Sequence, residues 1–563
     1  MSKIIEARSG SSLASISAKV GFIGRTQHLL HGTACDTGRG VELWPAKIGK
    51  AQGGISSMET ANQPGRLKPG SFIALFSVLM ALAVAPLFLT ELPPLLDYPN
   101  HLARMHLLPS LSSPVLETFY QVAWAPIPNL GMDGVVPFLA LFVPLDLAGK
   151  IFVVLTFFLL AGGTVAIYRV LFGMWSLWPC LAFLLLYTRL LLWGFMAYLI
   201  GCGLALAAFA AWVALRDRHW VVRILLGCGF ALLIYLAHLL AFGVYAVMIA
   251  GYELGQVWRR RLNPRDAVRA LAIGAMPFVP ALALMAMNSA AGRIVYANPL
   301  RKIDLLFSVF DNYSRPFDVV CFVLAVLAVA FVFQRRWVKL APEMAGPLLG
   351  LVLLYLAMPT QLFTAAGADR RIPMMIFLVL IAGSRWVIES APRERLFMAG
   401  AAVLFAIRLT VIAATWHASG RLYAQLLPGL DALPSGACIA VGYNKAGISV
   451  QKAPLTHFAA LAVARRDAFV TTLFAYPLQQ PITLQPEAKS FADLLSAEEL
   501  WYAFVDGSTT LSAAASSALA RCGYVAFAGT RPFDLQNKAS LEPAFVTPRF
   551  KIYRVSSSAS PRS

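Results

Sequence analysis

Residues 71–90 read SFIALFSVLMALAVAPLFLT, and the chain runs straight on into ELPPLLDYPNHLARMH at 91–106. The first stretch carries no charged residue over the roughly 20 positions a helix needs to cross about 30 Å of hydrocarbon. The second gathers Glu91, Asp97, His101, Arg104 and His106 within one short segment. A span that delivers polar chemistry to its own edge sets the class of the whole chain.

Working outward, further apolar runs occur at 150–172, 177–193, 195–215, 221–237, 239–254, 268–287, 319–333, 346–358, 372–388 and 396–416. With 71–90 they make about eleven expected spans. The piece at 135–145 carries Pro137 and Pro144 and reads as interfacial or re-entrant. Composition agrees: 58% of the 563 residues are hydrophobic and 13% charged, where a soluble domain averages about 25%. One large soluble enzyme and a disordered chain are both excluded. What is left is an all-α polytopic membrane protein.

The net charge of +19 comes from 47 Lys+Arg against 28 Asp+Glu. The basic residues cluster between apolar runs, at Arg259, Arg260 and Arg261, at Arg335, Arg336 and Lys339, and at Arg385, Arg393 and Arg395. That is the positive-inside signature of cytoplasmic loops, and it argues against nucleic acid as a partner. It sets the N-terminus inside, with outer loops at 91–149, 288–318 and 359–371. The expected location is the inner, cytoplasmic membrane, crossed many times. Residues 1–70 are polar and basic without an apolar signal segment and read as a cytoplasmic, disordered leader, with Met58 as a candidate start.

After 416 the pattern changes. Residues 417–563 hold no spanning run and alternate strand-like pieces (438–442, 469–474, 501–505, 524–528, 550–555) with helix-like ones (455–465, 490–500, 510–521). They read as a small extracytoplasmic α/β domain, large enough for one core. Cys438 and Cys522 fall in it and are candidates for a disulfide in an oxidising compartment.

The candidate chemistry is in the first outer loop. Pro99 suits the first turn of a helix, which puts Asp97 at its mouth and His101 and Arg104, three apart, on one face. Asp97 reads either as a catalytic acid or base or as a plain helix cap, since Asp caps helices whatever else it does. Arg370 and Arg371 stand just before the run at 372 and read either as anion contacts or as snorkelling side chains. His238 lies between two apolar runs at an outer turn, facing the same cavity as Asp97 or packed as a hydrogen-bonded histidine.

A first span followed at once by a long outer loop with an acid and a surface helix, many further spans and an outer C-terminal domain resembles the GT-C superfamily of membrane glycosyltransferases. Protein mannosyltransferases and lipid A aminoarabinose transferases belong to it. The resemblance implies a GT-C-like fold, a polyprenyl-phosphate-linked sugar as donor, and inverting transfer on the outer face to a glycan, lipid or protein acceptor. It casts Asp97 as the catalytic base or metal-proximal acid. The charge developing on a departing lipid phosphate calls for cationic side chains, which makes Arg104, Arg370 and Arg371, with His238 from its place at the outer turn, candidate substrate or phosphate contacts. This chain departs from several members in lacking an adjacent acidic pair, for Tyr98 follows Asp97 and the nearest other acid is Glu91. That leaves a divalent metal open and brings His101 forward as a partner of Asp97. The rival readings are a transporter or flippase, and a polysaccharide-assembly protein without transferase activity. Few mid-span carboxylates and no detectable inverted repeat speak against transport.

Overall fold

The computed structural model describes residues 66–556, apart from 111–112, 289–291, 364, 389 and 445–454. Met58 and the leader up to residue 65 lie outside the described residues. Eight helices are long and apolar enough to cross a membrane: Pro69–Phe88, Leu145–Phe172, Met196–Ala214, Trp220–Ala237, Leu239–Arg260, Pro264–Met287, Arg315–Gln334 and Ala391–Asp431. The other three expected spans are shorter. Trp178–Leu185 is a 3-10 segment followed by the five-residue helix Arg189–Trp193, and Ala345–Ala357 and Ile372–Gly383 have 13 and 12 residues. At 1.5 Å per residue such helices reach roughly 20 Å, short of the hydrocarbon thickness, although their composition matches that of a span. Leu145–Phe172 and Met196–Ala214 form the heart of the bundle. Gly163 and Gly203 permit their close approach, since a Cβ on Gly203 would stand 2.5 Å from the Leu159 Cβ.

The expected break at 417 does not occur. One helix of 41 residues, Ala391–Asp431, runs on, about 60 Å long, and hands over to the first strand of the C-terminal domain, Cys438–Gly442. That domain is built on a five-stranded sheet ordered Leu541–Val546, Phe550–Val555, Gly523–Ala528, Cys438–Gly442, Phe469–Val470. The last three strands run parallel and the first two pair antiparallel. The piece at 501–505, expected as a strand, is the end of the helix Ala497–Phe504. Glu498 and Glu499 supply its acidic first turn, and Leu500, Trp501 and Phe504 fall on one buried face at helical spacing.

Cys438 and Cys522 are joined by a disulfide across 84 positions of sequence. Converting both to Ala is expected to cost the domain about 2–5 kcal/mol. Urea-dependent proteolysis of the purified protein would show the domain cleaved at lower urea, and an unchanged midpoint would mean the bridge adds nothing.

The domain is stitched to the first loop. Tyr120–Val122 pairs antiparallel with Ile482–Leu484. From the loop helix, Tyr98–Ser110, the Asn100 side-chain oxygen accepts the Phe474 N–H at 3.0 Å, and His106 Nε2 meets the Asp467 carboxylate at 2.9 Å.

Candidate active site

Asp97 is held by its backbone before its side chain does anything. Its N–H donates to the Trp193 carbonyl (3.2 Å), the Leu96 N–H donates to the Leu192 carbonyl (2.9 Å), and its own carbonyl receives the His101 N–H (3.0 Å). The next residue after Trp193 is Gly194, at φ +89°. A Cβ there would come within 2.9 Å of the Asp97 Cβ and 3.0 Å of its nitrogen, so only glycine permits this approach.

Among the described residues the carboxylate makes no hydrogen bond to the loop helix. Among the described residues its side-chain contact is His457, whose Nε2 lies 3.5 Å from Oδ1. Burial raises the Asp97 pKa to about 7, with the charges of Arg371 and Arg104 pulling the other way. Near neutral pH the group is divided between its two forms, the condition of an effective base.

His101, expected beside Asp97, is turned elsewhere. Its Nε2 lies 2.9 Å from the Gly194 carbonyl, which can only accept, so Nε2 carries the proton and Nδ1 the lone pair. Burial, seconded by the Arg104 charge, lowers its pKa to about 3 and keeps it neutral. The expected pairing of Asp97 with His101 is therefore replaced by one with His457.

Arg104, expected as a phosphate contact, is engaged by a carboxylate. It is 1% exposed and makes a two-pronged ion pair with Asp133, Nε to Oδ1 at 2.6 Å and Nη2 to Oδ2 at 3.0 Å. A guanidinium so engaged has Nη1 alone to spare, and its work is to tie the loop helix to the helix Gly131–Leu139.

Arg371 is different. Buried, it faces His238 Nε2 with Nη1 (2.8 Å) and the Ala366 carbonyl with Nη2 (3.3 Å), and its Cζ lies 4.3 Å from the Phe195 ring centroid. No carboxylate pairs with it among the described residues, and its Nε has no partner. Burial lowers its pKa to about 10, so it stays cationic at neutral pH. His238 caps the helix Leu239–Arg260 by accepting the Leu240 N–H at Nδ1 (3.0 Å). Its one lone pair in the neutral ring cannot serve both that N–H and Arg371. His238 thus props Arg371 and leaves it short of acceptors. Arg370 lies over the Trp193 ring at 4.8 Å, with its Nε unpartnered. Asp97, Arg370, Arg371 and His238 therefore gather about one turn, Trp193 to Phe195.

No protein-family model and no curated protein matches this chain. Among solved structures, it is similar to ArnT from Cupriavidus metallidurans bound to undecaprenyl phosphate, with a TM-score of 0.51 at 11% identity. The match covers 87% of this chain and 99% of that one. The apo structure of the same protein gives 0.48 at 10% identity, over 86% and 97% of the two chains. The chain has the ArnT fold. The GT-C-like architecture expected from the first loop and the spans is thereby shown, and so is a multi-pass membrane protein.

Within this ArnT fold an apolar cavity of about 870 Å³ opens between the Trp178–Leu185 segment, the helix Arg315–Gln334 and the long helix. Leu181, Leu185, Phe310, Phe322 and Phe397 are in its walls. From Leu185 the chain leads in a few residues to Arg189, Trp193 and the site. The charges nearby are engaged structurally: Arg189 pairs with Asp311, and Arg408 with Asp318 at 3.2 Å.

Sequence reasoning missed His457 and Phe474, both from the C-terminal domain. The Phe474 ring meets the His457 ring edge-on at 5.1 Å and the His101 ring at 6.4 Å. Nothing in their local sequence marks them, because only the tertiary fold brings them to the first loop.

Proposed function

We propose that this protein transfers a sugar from a polyprenyl-phosphate donor to a hydroxyl of a glycan, lipid or protein acceptor, on the outer face of the cytoplasmic membrane. The observation that carries the reading is a carboxylate divided between its two forms at pH 7, set beside the same turn as two arginines that make no ion pair with a carboxylate among the described residues. Asp97 takes the acceptor's proton as the acceptor oxygen bonds to the anomeric carbon. The bond from that carbon to the donor phosphate oxygen breaks on the opposite side, inverting the centre. Arg370 and Arg371 meet the charge that develops on the departing phosphate. The apolar cavity takes the polyprenyl chain. The Arg259–Arg261 cluster supports the orientation, since it stands a full helix away from His238, at the other end of Leu239–Arg260.

A divalent cation does not fit these residues. Among the described residues no three His, Cys, Asp or Glu side chains converge as a metal site, and two guanidinium charges bear on Asp97 where a cation would sit.

Undecaprenyl phosphate tests the donor half. Native mass spectrometry of the protein from nanodiscs is expected to show it retained by the wild type and by Asp97→Asn. Arg370→Met with Arg371→Met should weaken retention by about 10–100-fold, the loss of charge-assisted hydrogen bonds worth roughly 1.5–3 kcal/mol. A wild type that does not bind this lipid would sink the reading.

A further inference from the structure

Asp97 belongs to the first loop, but the side chain that touches its carboxylate comes from the far end of the chain. We propose that His457 is a positioning residue: the C-terminal domain reaches over the bundle and holds the base through an imidazole N–H. The inference rests on the transferase reading only in calling Asp97 a base, because the pairing itself is geometry.

His457 Nε2 stands 3.5 Å from Asp97 Oδ1, and its side chain is 10% exposed. Two rings set its plane edge-on, Phe474 at 5.1 Å and 70° and Tyr443 at 5.9 Å and 82°. Its backbone leads into the turn Phe458–Ala460 and the helix Leu461–Arg466, which packs against the loop helix that begins beside Asp97. The same packing thus fixes both partners. Burial lowers the His457 pKa to about 4, so the ring is neutral and owns one N–H. The ionised carboxylate can only accept, so pairing with that form places the proton on Nε2. At 3.5 Å the pair stands just beyond an ordinary hydrogen bond, and catalytic hydrogen bonds are often long before substrate arrives.

The consequence is directional. A hydrogen bond to the charged form favours that form, so His457 holds Asp97 ionised against the burial that favours its acid. It also fixes which oxygen stays free, since Oδ1 is engaged and Oδ2 remains for the acceptor hydroxyl. The other titratable and charged groups facing Asp97 are Arg104 from the loop helix, Arg371 from the turn before Ile372–Gly383, and Tyr443 from the C-terminal domain, while His101 turns to the Gly194 carbonyl. Arg104 and Arg371 act through charge across space. His457 alone among these is within ion-pair distance of the carboxylate.

The test needs no substrate. Dicyclohexylcarbodiimide labels a buried carboxyl in its protonated form, and peptide mass spectrometry reads Asp97 modification against pH, with Asp97→Asn as the blank. In His457→Met, which keeps bulk and packing but has no donor, the labelling midpoint should move up by about one pH unit, tenfold in the acid-to-carboxylate ratio. His457→Gln, with an amide N–H in place of the imidazole's, should bring it back toward wild type. A midpoint unmoved in His457→Met overturns the proposal, and so does an equal shift in both variants. Lack of any sugar transfer would instead topple the transferase reading and leave the midpoint shift in place. Asp97-dependent transfer with an unmoved midpoint would topple the pairing alone.

Discussion

Replacing Asp97 with Asn is expected to lower sugar transfer by about 10²–10⁴-fold, the usual worth of a positioned proton acceptor, at unchanged membrane expression. Asn keeps the shape and takes no proton. The fold loses little, because the Asp97 carboxylate makes no hydrogen bond to the loop helix among the described residues, and Asn would cap that helix about equally well. Surface glycans read by mass spectrometry would lose one defined sugar and so name the substrate. An unchanged profile, in cells where deleting the whole gene does alter it, would remove Asp97 from the chemistry. The pH dependence has a definite sign. The ionised form is the base and its pKa lies at about 7, so activity should climb with pH on a limb centred there. A limb centred in the ordinary carboxylate range would mean that burial does not govern the group.

Cutting Asp133 back to Ala should destabilise the protein by about 3–5 kcal/mol, the cost of stranding one partner of a buried ion pair. Arg104, 1% exposed, would keep its charge with nothing to meet both prongs of the guanidinium. Thermal unfolding of the purified protein is the measurement, and the double variant Arg104→Met/Asp133→Leu is its control. Removing both charges should recover most of the loss, since apolar pairs often replace buried ion pairs without penalty. If Arg104 only ties helices together, the double variant still transfers sugar. Its limb should shift to higher pH, because a cation that favours the Asp97 carboxylate has gone. Lost transfer in a well-folded double variant would return Arg104 to the phosphate.

The apolar runs were legible because lipid leaves a segment no other way to satisfy its backbone than to coil. At 177–193, 346–358 and 372–388 the helices are shorter than a full crossing, and apolar composition there serves burial inside protein as readily as contact with lipid. Trp501 to Val505 looked like a strand because a short aromatic run has no period of its own, and the acidic first turn at Glu498 and Glu499 went unread. In the site, Asp97, Arg370 and Arg371 could be found from their place beside apolar runs. The partners could not. Asp133 is one acid among several in a long loop, and His457 lies 360 residues after Asp97, in a domain whose strand Ile482–Leu484 pairs with Tyr120–Val122, which no local pattern announces. Sequence marked the candidate reacting groups, and topology chose the groups that hold them.

The unbroken helix Ala391–Asp431 makes angular phase part of the site. A helix turns by about 100° for each residue, so one residue inserted between bundle and sheet would swing the C-terminal domain sideways by more than a quarter turn. His457 would be carried off Asp97, and the strand at Ile482–Leu484 would leave its partner at Tyr120–Val122. Bilayer thickness sets a minimum for this helix and no more. Its full length is a clock setting, one that tolerates change in whole turns and resists it in single steps.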